Sequence, residues 1–138
     1  MSFEKFGKVS FVAETKAADF VKYLEQGKVM VARCKKCGAV FSPPKMDCSQ
    51  CLSSDVEWIE PKGKGKLVTF TTLPSFAPTG FGDDLPYTLG LVEFEGGVRM
   101  FGRVSKSIPE NELRIGLEMK PVSVSLPPER ISYEFQKA

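Results

Sequence analysis

Four cysteines in two pairs constrain this chain more than any other feature: Cys34-Lys35-Lys36-Cys37, ten residues, then Cys48-Ser49-Gln50-Cys51. Two C-x2-C knuckles at this separation offer four soft thiolates to one tetrahedral ion, the spacing of a zinc ribbon. A disulfide pair or four unrelated buried thiols is the competing reading, and the paired spacing disfavours it. Iron in a rubredoxin-type site is compatible with the same spacing, so Zn2+ is the expected ion and Fe the alternative. An all-cysteine shell is closed. That makes the expected role of the metal structural and removes Cys34, Cys37, Cys48 and Cys51 from the pool of nucleophiles.

The chain has no histidine. Ser-His-Asp and Cys-His mechanisms are therefore excluded, as is any histidine-bearing metal site. Chemistry done by this chain alone would rest on Asp, Glu, Lys, Tyr or the metal. With 138 residues there is room for one ordinary domain or two small ones. The 19 basic and 17 acidic residues leave a net charge of +2, which announces neither a nucleic-acid nor a membrane partner. No apolar run approaches the ~20 residues of a membrane helix. Residues 1–6 lack the continuous apolar core of a signal peptide. The expected location is the cytoplasm, where reduced thiols favour metal over disulfides.

Residues 15–26 read as a helix. Ala17, Phe20, Val21 and Leu24 recur at helical spacing, Thr15 suits the N-cap and Gly27 the C′ position. Such a helix either packs on the neighbouring domain or docks a partner. Residues 29–33 lead into the first knuckle, whose Gly38 suits a turn needing positive φ. Residues 39–41 form a return strand broken by Pro43 and Pro44. Residues 56–59 form a third strand, with Trp58 covering a thin core.

Beyond Pro61 the pattern changes to short strands separated by turn signals. Strands are expected over 67–73, with Val68 and Phe70 on one face, and over 87–94. Gly96-Gly97 turns the chain into a strand over 98–104. A short helical turn at 109–113 precedes a strand over 119–126. Pro127-Pro128 interrupts, and Ile131, Tyr133 and Phe135 alternate in a last strand. Five strands with a helical insertion after the third describe a five-stranded Greek-key barrel of OB type. The expected fold is mainly β: an N-terminal helical segment over residues 1–28, a rubredoxin-like zinc ribbon over 29–60, and an OB-fold domain over 61–138.

The ordered set Arg33-Cys34-Lys35-Lys36-Cys37-Gly38, Phe41-Ser42-Pro43-Pro44, Cys48-Ser49-Gln50-Cys51, Glu57-Trp58, Gly63-Lys64-Gly65, Pro86-Tyr87-Thr88-Leu89-Gly90-Leu91-Val92-Glu93 and Leu113-Arg114-Ile115-Gly116 resembles a known family. That family joins an N-terminal helix, a rubredoxin-like zinc ribbon and an OB-fold; it was catalogued as a domain of unknown function and is described as acyl-CoA-associated. The resemblance implies a non-catalytic accessory or scaffold partner of thiolase-like enzymes, one that binds acyl-CoA or channels it between partner sites. The chain departs from the family in two places. Leu52 follows the fourth cysteine where relatives tend to have glycine, and the loop after the first barrel strand lacks the histidine that many relatives carry.

Three surfaces are candidates for ligand binding. The loop over residues 74–86 carries Phe76 and Phe81, which suit an apolar wall for an acyl or pantetheine chain, or simply fold onto the barrel end. Its Asp83 and Asp84 read as solvated turn residues rather than a catalytic pair. Lys62, Lys64 and Lys66 share a face at strand period, suiting a phosphate-bearing ligand such as the nucleotide part of CoA, or a lysine-protected edge strand. Arg99, Phe101 and Arg103 point outward from the third barrel strand. They suit a stacked base, CoA adenine or a partner protein, unless Phe101 packs under the ribbon or helix. The competing functional class is a single-stranded nucleic-acid binder, which the near-neutral charge disfavours. An enzyme in its own right ranks last.

Overall fold

The computed structural model describes residues 5–8, 15–127 and 129–138. The sequence readings made at residues 1–4 and at Pro128 lie outside them. The helix α1 spans Asp19–Glu25, shorter than the expected 15–26. Thr15 closes a preceding turn instead of capping the helix: its carbonyl accepts from the Ala18 amide at 3.2 Å and its hydroxyl from the Ala17 amide at 3.2 Å. The C-terminus matches the expectation at Gly27. The Lys28 amide returns to the Tyr23 carbonyl and the Gly27 amide to the Leu24 carbonyl, a Schellman closure. Phe20, Val21 and Leu24 form the buried stripe.

The ribbon is a three-stranded antiparallel sheet of β1 (Val31–Cys34), β2 (Val40–Phe41) and β3 (Val56–Ile59), in the order β2-β1-β3. Trp58 does more than cover the ribbon. Its ring lies 5.7 Å from that of Tyr23, which ties β3 to α1. Five further strands follow: β4 (Gly65–Leu73), β5 (Tyr87–Glu93), β6 (Arg99–Val104), β7 (Glu118–Leu126) and β8 (Arg130–Lys137). They close into a barrel in the order β4-β5-β6-β8-β7, with β4 also pairing β7. All pairings are antiparallel except β6 with β8, the topology of an OB-fold. A single 3-10 turn, Glu110–Glu112, fills the β6–β7 connection.

One detail of β4 differs from its sequence pattern. The expected strand has Val68 and Phe70 on one face, and a register shift between Leu67 and Thr69 bulges it at Val68. A bulge inserts one residue and changes which side chains face inward. Leu67 is therefore fully buried while Phe70 still packs on the core.

Barrel interior and helix share one core. Leu67, Val92, Met100, Met119 and Phe135 fill the barrel, and Phe20, Val21 and Leu24 of α1 join the same cluster. Each such side chain contributes about 1.5–3 kcal/mol on burial. The Phe20 ring meets Tyr133 edge-on at 6.0 Å, and Ser123 Oγ donates to the Leu24 carbonyl at 2.6 Å. The helix thus spends its apolar face on the barrel, as the packing reading anticipates. Among the described residues no helix is long and apolar enough to cross a membrane.

Candidate metal centre and barrel face

Two matching turns bring the cysteines together. The Gly38 amide returns to the Cys34 carbonyl at 2.9 Å, and the Leu52 amide to the Cys48 carbonyl at 3.0 Å. Both turns end at positive φ, +79° at Gly38 and +64° at Leu52. The left-handed region favours glycine, yet Leu52 adopts it with its side chain 84% exposed, where no clash prevents it. The departure from glycine therefore leaves the knuckle geometry intact.

The four Sγ atoms lie within 4.8 Å of one another. Cys34 and Cys51 approach to 3.6 Å, and Cys37 and Cys48 to 3.5 Å. Four thiolates around one ion at ~2.3 Å would sit roughly 3.8 Å apart, so the donor set fits a tetrahedral metal. The Gln50 and Cys51 amides both point at Cys48 Sγ at 3.4 Å. The Cys51 amide is the main cause that lowers the Cys48 thiol to about 6, and the Cys37 amide likewise lowers Cys34. These backbone donors favour the thiolate, the form that ligates, at Cys48 and Cys34; at Cys37 the Ala39 amide also lowers the thiol, but the Cys48 sulfur and burial outweigh it and push it up to about 12.

The second site is the outer face of the barrel. On β6 the side chains alternate as expected: Met100 and Val104 are buried, while Phe101 is 56% exposed. Phe101 does not pack under the ribbon or the helix. Its carbonyl accepts a hydrogen bond from the Tyr133 hydroxyl, whose own pKa burial pushes up to about 12. The flanking arginines are both engaged. Arg99 Nε donates to Glu93 at 2.9 Å, and Arg103 Nη1 lies 3.4 Å from Asp84 Oδ2.

The β4–β5 loop folds back toward this face. A 3-10 turn over Gly82–Asp84 carries Asp84 inward, and Phe81 stacks against Tyr87 at 5.5 Å. Phe76 stays 80% exposed, so the two loop phenylalanines do not form one wall. Asp84 is the residue that sequence reasoning missed. It meets Lys8 at 3.0 Å, Arg103 at 3.4 Å and Lys106 at 3.7 Å. The Lys8 hydrogen bond is the main cause that holds its carboxyl below the ordinary range, against burial and with help from Arg103. Its partners lie far away in sequence, so spacing carried no signal of them. Leu89 and Leu91 did leave a signal. They alternate with Gly90 and Val92, so β5 carries apolar side chains on its outer face as well as its inner one.

The three lysines are arranged differently from the expectation. Gly63 takes φ +75° and β4 begins only at Gly65, so strand alternation does not reach Lys62. Lys64 pairs with Glu118 at 3.3 Å, and Lys66 stands in register with Glu93 on β5 and Glu118 on β7. Negative charge thus interleaves with Lys64 and Lys66.

Asp84→Asn is expected to cost about 1–2 kcal/mol at neutral pH, because it leaves a cluster of partly buried cations unmatched. The folded-state carboxyl is more acidic than the unfolded one. Its stabilisation is therefore present above about pH 4 and is lost as pH falls through the depressed folded value. Urea midpoints of the two proteins should differ from pH 7 to 5 and converge in stronger acid. A gap unchanged down to pH 2 would remove Asp84 as the cause.

Comparison with known proteins agrees with this architecture. The family model of the ChsH2 rubredoxin-like zinc ribbon domain matches residues 22–57, and that of the ChsH2 C-terminal OB-fold domain matches residues 58–124. A DUF35 domain-containing scaffold protein of Methanocaldococcus jannaschii is 31% identical, with 74% of this chain and 82% of that protein covered. The chain belongs to the DUF35 family. Another relative, a probable enoyl-CoA hydratase alpha subunit of Thermomonospora curvata, is 26% identical to this DUF35 chain over 67% of its length but only 28% of the relative's. Among solved structures the Ltp2-ChsH2(DUF35) aldolase superposes with a TM-score of 0.71 at 22% identity, covering 92% of this chain and 98% of that one. At that identity the likeness is one of fold.

Proposed function

We propose that this DUF35 protein is a non-catalytic scaffold subunit that serves a thiolase or ketoacyl-synthase-like enzyme acting on acyl-CoA thioesters in the cytoplasm. Its four cysteines hold structural Zn2+, which supplies folding energy to the ribbon and no open coordination position. The observation that carries the reading is the outward face of β5 and β6, where exposed Phe101 stands on a rigid barrel, in a chain with a 31%-identical relative named a scaffold protein. An aromatic flanked by arginines on a rigid sheet has the composition of an interface hot spot. The relative named as an enoyl-CoA hydratase subunit supports an acyl-CoA setting, and the solved neighbour, whose name joins a DUF35 protein to an aldolase, is consistent with an enzyme partner. The nucleic-acid reading loses ground on this face, because both arginines beside Phe101 are already matched by carboxylates.

Co-expression with the thiolase-like enzyme of the native host is expected to give a complex that survives gel filtration. Phe101→Ala should weaken it by about tenfold or more, with the fold unchanged because the ring is exposed. A chain that neither binds such an enzyme nor shows a thermal shift with CoA thioesters would refute the scaffold reading.

A further inference from the structure

Residues 5–8 cross the barrel where its closure is thinnest. β6 and β8 pair only at Arg103 with Glu134 and at Val104 with Phe135. Near the start of β8 the N-terminal segment takes the place of β6. Phe6 makes an isolated parallel bridge to Ile131, and the Gly7 amide donates to the Ile131 carbonyl at 2.8 Å. One bridged residue has none of the cooperativity of a strand, so this strap can leave without unzipping a sheet.

The ends of the strap are held by charge. Lys5 lies 4.0 Å from Glu129, both side chains being well exposed. Lys8 Nζ donates to Asp84 at 3.0 Å and stands 4.7 Å from the centre of the Phe81 ring. Arg103 and Lys106 share the same carboxylate. Three cations around one anion repel each other, and withdrawal of Lys8 leaves Asp84 matched by the other two. Arg103 is the fixed member, because its guanidinium also lies 5.0 Å from the centre of the Tyr87 ring. Lys8 is the member free to go.

Phe6 is the middle anchor. It is half-buried, and its ring meets Phe20 edge-on at 6.0 Å. It lines two mainly apolar cavities at once. One, of about 280 Å3, lies on the barrel face with Leu89 and Phe101; the other, of about 390 Å3, lies beside Phe20, Pro43 and Pro44. Tyr133 is the other ring common to both. Lifting Phe6 leaves an apolar seat beside Tyr133, on the face whose Phe101 the scaffold reading gives to the partner. An apolar side chain of that partner fits the vacated seat.

We propose that residues 5–8 are an autoinhibitory strap, which fills this seat in the free chain and yields it to the partner enzyme. The identity of the competitor rests on the scaffold reading above; the opening of the strap is a property of this chain alone.

The test uses the full metal-loaded chain. Hydrogen exchange at the Gly7 amide reads the strap. Exchange at Leu67, a buried β4 residue whose amide donates to the Leu117 carbonyl at 2.9 Å, reads global unfolding. Gly7 is expected to be at least about a hundredfold less protected than Leu67, as a separately opening unit is. Lys8→Ala should speed Gly7 exchange about fivefold, the upper worth of a partly exposed ion pair, and leave Leu67 unchanged. Sodium chloride at about 0.5 M should act on the wild type in the same direction. Lys8→Ala should also bind the thiolase-like enzyme of the native host more tightly by about the same factor, since a larger share of the chain is then open. Gly7 as protected as Leu67, or Gly7 unmoved by Lys8→Ala, would overturn the strap. An enzyme that binds both proteins equally removes the autoinhibition and leaves the scaffold reading standing. An enzyme that binds neither removes both.

Discussion

Cys34→Ser should release the metal ion and unfold the ribbon, at a cost on the order of 5 kcal/mol or more. Ligation supplies apparent free energies of about 10–16 kcal/mol in small zinc modules, and a hydroxyl is a poor replacement for thiolate. The ribbon has little else to hold it: β2 is two residues long, and Val40 and Phe41 are only half-buried. Cys34 is the buried end of β1 and accepts the Gly38 amide that shapes the first knuckle. The damage should reach the barrel, since Val29 and Val31 belong to the common core and Trp58 rests on Tyr23 of α1. Elemental analysis reads the metal directly. Trp58, the chain's one tryptophan, reports the unfolding by a red-shifted emission. A Cys34→Ser protein that kept its metal and its Trp58 emission would refute a four-thiolate site.

Phe135→Ala is the second large effect, about 3–5 kcal/mol, the range for emptying a buried phenylalanine site. Phe135 is fully buried and stands opposite Val104 in the short β6–β8 pairing. Its carbonyl accepts from the Ser105 amide at 2.8 Å, and its ring meets Tyr133 at 6.1 Å. The only other strand pairing in this seam is Arg103 with Glu134, so little remains to compensate. Urea unfolding measures the stability change. A loss below 1 kcal/mol would mean that the seam is held elsewhere.

These two variants differ in how visible they were beforehand. Cys34 stands in one of two C-x2-C pairs at ribbon spacing, which favours a metal-binding knuckle over a disulfide, so its role was legible from the sequence. Phe135 could be placed on the inner face of the last strand by alternation with Ile131 and Tyr133. Its position at the one parallel pairing could not, because pairing between β6 and β8 depends on how the barrel closes. The strand limits were mostly legible, since β-branched and aromatic runs end at Pro, Gly and Asp turn signals. The helix was read too long at its start. Ala17 fits the apolar period, but nothing in that period distinguishes a helical turn from the Thr15 turn before it.

The candidate site divides the same way. Exposed Phe101 and the two arginines followed from alternation on β6, a local rule with period two. The Asp84 cluster followed from no local rule. Residues 8, 84, 103 and 106 meet only because a loop folds back over the barrel. Thus the metal-binding knuckles, the order of elements and the inward or outward sense of most strand residues were determined by the sequence alone, because each depends on neighbours a few residues apart. The bulge at Val68, the three cations around one carboxylate and the parallel β6–β8 pairing were decided by the tertiary structure, because each depends on groups far apart in the chain that only barrel closure brings within reach.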